Sequence, residues 1–140
     1  MVDRIGPREA KRRMDREGWV YVDVRSVTEF DQGHPNGAYN VPLLHLRSGG
    51  MEPNPSFIEA MKAAFAADAK IIVGCQSGGR SLRAAEALEA EGFTSVVDQR
   101  AGYGGARDAF GGVTEPGWVA EGLPTSNEAS PGRAWDDLGG

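Results

Sequence analysis

Cys75 is the only cysteine in the chain, and it stands in Val73-Gly74-Cys75-Gln76-Ser77-Gly78-Gly79-Arg80-Ser81. The apolar run Ile71-Ile72-Val73 precedes it and a helical pattern begins near Ser81. A thiol between a strand end and a helix N-terminus meets converging backbone N–H groups and the positive end of the helix dipole, a setting that suits a thiolate. Gly78 and Gly79 tolerate positive φ, which lets successive N–H groups turn inward as an anion nest. Arg80 adds a full positive charge. A lone cysteine is more often a small core residue. The two glycines, the serine and the arginine within five residues favour a nucleophile instead.

The elements that must position this loop are legible upstream and downstream. Pro7 opens a charged helix that runs to about Glu17 and is stopped by Gly18. The β-branched and aromatic run Trp19–Val24 reads as a strand covered on both faces, as in a parallel sheet. Ser26 with Glu29 forms a capping box for a short helix. Gly33-His34-Pro35-Asn36-Gly37 is turn chemistry, followed by a short strand, Ala38–Val41. Residues 47–55 read as a surface loop, and residues 56–67 as a helix with an apolar face at Phe57, Ile58, Met61, Ala64 and Phe65. Lys70–Gly74 is the strand before the cysteine; Leu82, Ala84, Ala85 and Leu88 mark the helix after it, ended by Gly92. Val96-Val97 is a further strand. Residues beyond Gly102 are irregular and glycine-rich, with Trp118 and Leu123 as core anchors. Residues 125–140 read as a mobile tail. Alternating strands and helices predict a parallel α/β sheet with the cysteine loop at a strand's carboxyl end, where such folds bind ligands.

Composition narrows the function. The length of 140 residues predicts one domain, and 8% aromatic with 25% charged residues fits a globular protein. Fifteen basic against 20 acidic residues, a net charge of −5, argue against nucleic acid as the partner. No run reaches the length of a membrane span, and residues 1–16 hold no apolar core of signal-peptide length. One cysteine makes no internal disulfide, so a cytoplasmic setting with a free thiol is expected. His34 and His45 with Cys75 give no pair at metal-ligand spacing, and neither a metal nor a cofactor is expected.

Several segments together resemble one family, the rhodanese domains. Tyr21-Val22-Asp23-Val24-Arg25, Glu29-Phe30, Gly33-His34, Gly37-Ala38 and Asn40-Val41-Pro42 resemble its N-terminal motif. Cys75-Gln76-Ser77-Gly78-Gly79-Arg80-Ser81 resembles its active-site loop, and Gly92-Phe93 and Gly122-Leu123-Pro124 its closing elements. The resemblance covers about residues 3–124, so residues 1–124 are expected to form the domain. It implies a five-stranded parallel sheet flanked by helices on both faces. It also implies sulfane-sulfur transfer from a small donor such as thiosulfate, through a Cys75 persulfide, to cyanide or a thiol. The alternatives are a persulfide carrier that serves an acceptor protein, and a mercaptopyruvate sulfurtransferase. Gln76, Ser77, Gly78, Gly79, Arg80 and Ser81 would bind the substrate. Related phosphatase and arsenate-reductase domains place five residues between cysteine and arginine. Here four intervene, a tighter cradle that suits one sulfur atom.

Arg80 has two readings, attraction of the anionic donor or bracing of the loop through carbonyls and a carboxylate such as Asp23. Asp23 and Arg25 are expected to serve structure, with Glu29 a candidate partner for Arg25. His34 reads as a hydrogen-bonded turn residue, and His45 as a loop residue that could approach the pocket. The family's Gly-Gly and following tryptophan are replaced by Ala101-Gly102-Tyr103 and Arg107. Residues 108–117 look inserted, with Trp118 supplying the packing.

Overall fold

The alternation of apolar residues along the strands builds this fold, because successive side chains of a strand point to opposite faces. The computed structural model describes residues 2–140. In chain order it runs β1 (Asp3–Ile5), α1 (Pro7–Arg16), β2 (Val20–Asp23), α2 (Val27–Gln32), β3 (His34–Pro35) and β4 (Tyr39–Asn40). There follow β5 (Leu44–Arg47), β6 (Gly50–Pro53), α3 (Phe57–Ala64), β7 (Ile71–Gly74), α4 (Gly79–Ala90) and β8 (Val96–Gln99). The chain closes with β9 (Ala106–Arg107), β10 (Val113–Glu115), β11 (Thr125–Ser126) and α5 (Trp135–Leu138).

Five strands form one parallel sheet in the order β1-β8-β7-β2-β4, as expected. Ile5, Tyr21, Ile72 and Val97 face one side and pack with Ala10 of α1, Phe30 of α2 and Trp118. Val22, Ile71, Val73 and Val96 face the other and pack with Phe57, Ala60 and Met61 of α3 and Ala84, Ala85 and Leu88 of α4. Helices therefore cover both faces. With all strands parallel, the carboxyl ends of β2, β7 and β8 meet at one edge. Asp23, Cys75 and Asp98 gather there. Among the described residues no helix is long and apolar enough to cross a membrane.

Three segments differ from the sequence expectations. Most of the predicted loop 47–55 belongs to a hairpin, β5 paired with β6, turning at Ser48-Gly49. Most of the stretch that looks inserted is a second hairpin, β9 with β10. Residues 125–140, expected as a mobile tail, pack on the domain. β11 pairs with β3, Asn40 N–H donates to Arg133 O at 2.8 Å, and Trp135 is 8% exposed within the core. A single tryptophan removes enough apolar area from water to anchor a short polar stretch.

Candidate active site

The candidate nucleophile, Cys75, sits one residue beyond β7. The last residue of that strand, Gly74, must be glycine, because the Tyr21 hydroxyl occupies the space where a Cβ would lie. Cys75 is 2% exposed. Its Sγ accepts from Gly78 N–H at 3.1 Å and lies 3.4 Å from Ser81 Oγ, to which the thiol donates. Ser81 Oγ in turn donates to Gly78 O at 3.3 Å. Gly78 has φ +100°, and a Cβ there would also press into the Arg100 carbonyl. Only glycine fits both constraints.

The loop is held from beneath by the next segment. Tyr103 N–H donates to Cys75 O at 2.8 Å and Gly104 N–H to Gln76 O at 2.9 Å. The carbonyls of Cys75 and Gln76 are thereby occupied. The first helical bond of α4 runs from Leu82 N–H to Gly78 O at 3.3 Å. The N–H groups of Gly79, Arg80 and Ser81 open the helix with no carbonyl of that helix to bind. Among the described residues, Gly78 is the backbone donor on the Cys75 sulfur.

Two ion pairs brace this edge, with partners exchanged relative to the sequence expectation. Arg25 pairs with Asp23, not Glu29: its Nη2 donates to Asp23 Oδ2 at 2.7 Å, both groups almost fully buried. The same guanidinium donates to Gly33 O at 2.7 Å and lies 4.4 Å over the Tyr103 ring. Burial pushes its ionisation down, but the charge and hydrogen bonds of Asp23 outweigh that and raise it. Arg80 pairs with Glu29, not Asp23, through a two-point fork of 2.7 and 2.9 Å. Glu29 also completes the capping box with Ser26, as expected. Burial pushes its carboxyl up, but the Arg80 hydrogen bond and charge, with Ser26, hold it at about 2.

The predicted site residues thus separate into groups. Gly78 and Ser81 touch the Cys75 sulfur; Gly79 lies in the first turn of α4; Arg80 points to Glu29. Gln76 and Ser77 are exposed, and each opens onto its own cavity. One of about 320 Å³ is lined by Arg25, Glu29, Gln32, Gly33, Gln76 and Tyr103. The other, of about 540 Å³, is lined by Ser77, Arg4, Arg100, Arg107, Thr114 and Glu115, with Ala106. Tyr103, Arg4 and Arg100 escape the sequence reading. The signal for Arg4 lies in the strand register, which sets it beside Asp98. Its Nε donates to Asp98 Oδ2 at 2.7 Å and its Nη2 to Gly78 O at 3.4 Å. Burial pushes the Asp98 carboxyl up, with the hydrogen bond and charge of Arg4 opposing it.

His34 is a hydrogen-bonded turn residue, as expected. Its ring lies 2.7 Å from Phe30 O and 3.2 Å from Glu128 O, stacked on Phe30 at 3.6 Å. His45 belongs to β5 and faces Trp135 at 5.8 Å, lining neither cavity. Trp118 is fully buried and donates from Nε1 to Pro124 O at 2.7 Å, supplying the expected packing. Among the described residues no group of three or more His, Cys, Asp or Glu side chains is placed to hold a metal ion.

Comparison with known proteins agrees with this geometry. Residues 6–108 match the family described as Rhodanese-like domain. The chain is 44% identical over 108 residues to Thiosulfate sulfurtransferase 16, chloroplastic, of Arabidopsis thaliana, covering 77% of this chain and 80% of that protein. It is 41% identical over 97 residues to Senescence-associated protein DIN1 of Raphanus sativus, covering 69% of this chain and 53%, about half, of that protein. Among solved structures, Rv0390 from M. tuberculosis matches with TM-score 0.74 at 29% identity, over 91% of this chain and 98% of that one.

Proposed function

The chain belongs to the rhodanese-like domain family, and on that premise we propose that it is a sulfurtransferase working through a persulfide on Cys75. The single observation that carries this reading is the Cys75 sulfur facing the Gly78 N–H and the Ser81 hydroxyl at the start of α4. The Cys75 thiolate attacks the outer sulfur of a donor such as thiosulfate. A Sγ–S bond forms, the donor's S–S bond breaks, and sulfite leaves with the bonding electron pair. An acceptor thiolate or cyanide then attacks the sulfane sulfur and returns Cys75 as thiolate. The reaction divides one transfer into two displacements.

The loop meets the needs of such an intermediate. A persulfide is large and anionic and gains from fixed donors that need no reorganisation. With the carbonyls of Cys75 and Gln76 tied to Tyr103 and Gly104, the loop keeps acceptors off that side. Arg80 contributes as a brace: both faces of its fork meet Glu29, so the pair fixes the start of α4 against α2. Thiosulfate as donor follows the name of the Arabidopsis relative. A free thiol nucleophile suits a reducing compartment, and we place the protein in the cytoplasm on that argument.

Intact-mass spectrometry tests the reading. Thiosulfate should add one sulfur, about 32 Da, to the wild type and nothing to Cys75→Ala, because the persulfide is obligatory for double displacement. An unmodified wild type after a panel of sulfane donors would overturn it.

A further inference from the structure

The cavity reached from Ser77 is larger than a small donor requires. It holds about 540 Å³. Cavities of roughly 300–1,000 Å³ take drug-sized ligands or several residues of chain, whereas thiosulfate has five heavy atoms. Its walls carry three guanidinium groups, Arg4, Arg100 and Arg107, in a chain whose net charge is −5. Two carboxylates oppose them. Asp98, fully buried, takes Arg4, and Glu115 takes Arg100 at 2.8–2.9 Å. Arg107 donates to the Gly111 carbonyl and has no carboxylate partner among the described residues.

One wall of the groove is the hairpin of β9 and β10, which contributes Ala106, Arg107, Thr114 and Glu115. Most of that hairpin lies beyond residue 108, where the match to the family ends. At its turn Phe110 is 97% exposed, and Val113 of β10 is 55% exposed. An apolar tip beside a basic groove is the pairing expected of a surface that meets a macromolecule, with an anchor for affinity and charge for selection.

We propose that this groove docks the sulfur acceptor, and that the acceptor is a protein segment presenting a cysteine among acidic side chains. The acidic residues meet Arg107 and the remaining donors of Arg100 and Arg4, and an apolar neighbour covers Phe110. The cysteine thiolate attacks the outer sulfur of Cys75–S–SH. A new S–S bond forms to the acceptor, the old one breaks, and the electron pair returns to Cys75 Sγ. The acceptor leaves as the persulfide with no net oxidation. The inference rests on the Cys75 persulfide proposed above.

Two peptides of equal length test it, each with one cysteine and a leucine nearby, one flanked by Asp and Glu and the other by Lys. The protein is first charged with thiosulfate and checked by mass, then discharged into each peptide at low ionic strength. The acidic peptide should discharge it about tenfold faster, a ratio of the size that charge complementarity gives to encounter rates. Arg107→Glu should bring the ratio close to one. Phe110→Ser should raise several-fold the concentration of acidic peptide that half-saturates the rate. Equal rates with both peptides on a charged wild type, or a ratio that survives Arg107→Glu, would overturn the docking site while leaving the persulfide intact. A wild type that never gains the sulfur would sink both.

Discussion

The cysteine loop is flanked by two regions built on different physics. On the α2 side stand Asp23–Arg25 and Glu29–Arg80, pairs with little or no exposure, each with additional hydrogen bonds. On the hairpin side stands Arg100–Glu115, 42% and 30% exposed, with Arg107 lacking a carboxylate among the described residues, and the tip residue Phe110 is 97% exposed. Charges buried in pairs over-determine a geometry, since neither partner is tolerated alone. Exposed pairs in solvent add little to stability and remain available to a ligand. The contrast suits the first region to holding the Cys75 loop and the second to the docking proposed for it.

The sharpest way to break that contrast is to remove Asp23. In Asp23→Ala the Arg25 guanidinium stays buried without its carboxylate, a loss expected to cost about 3–5 kcal/mol. Thermal or urea unfolding reads it directly. A loss below about 1 kcal/mol, the worth of a surface pair, would remove the distinction between the two sides.

Glu29 gives a smaller effect with a pH signature. Its carboxyl is held at about 2 in the folded protein against an ordinary value of 4.5. A depressed acid contributes stability that is full above the unfolded value and is lost as pH falls through the folded one. The wild type should therefore lose stability steadily between pH 4.5 and 2. Glu29→Gln should start lower by about 1–3 kcal/mol at neutral pH and lack that part of the slope. Unfolding curves taken from pH 6 downward on both proteins decide it, and parallel slopes would count against the brace.

How far these regions were legible differs for the same reason. Strands β2 and β7 announce themselves as β-branched runs, and the capping box of Ser26 and Glu29 is local, three residues apart; all three are found where expected. Cys75 with Gly78 and Ser81 is local too. The carboxylate that Arg80 meets is not legible, because Glu29 and Arg80 are 51 residues apart, and no periodicity encodes which carboxylate a helix start will face. The hairpin β9–β10 has strands of two and three residues amid glycines, too short for an alternation signal. The hairpin β5–β6 does alternate at Leu44 and Leu46, but Gly49, Gly50, Pro53 and Pro55 mask it. The tail is polar except for Trp135, and one aromatic without a pattern does not declare what it packs against.

The smallest expected effect sharpens the comparison from the other side. Phe110 contacts too little of the protein to stabilise it, since it is 97% exposed at the turn of an exposed hairpin. Replacing it with serine removes no buried area, so Phe110→Ser should leave unfolding within about 0.5 kcal/mol of the wild type. A stabilised variant would agree equally well, because an exposed aromatic can be covered more in the unfolded chain than in the folded one. A loss of about 2 kcal/mol would mean that the ring is packed in solution, and the hairpin would then join the core. A near-zero change leaves the side chain without a role in folding. It is then a group kept in water beside a basic groove, whose apolar surface is gained only when another molecule covers it.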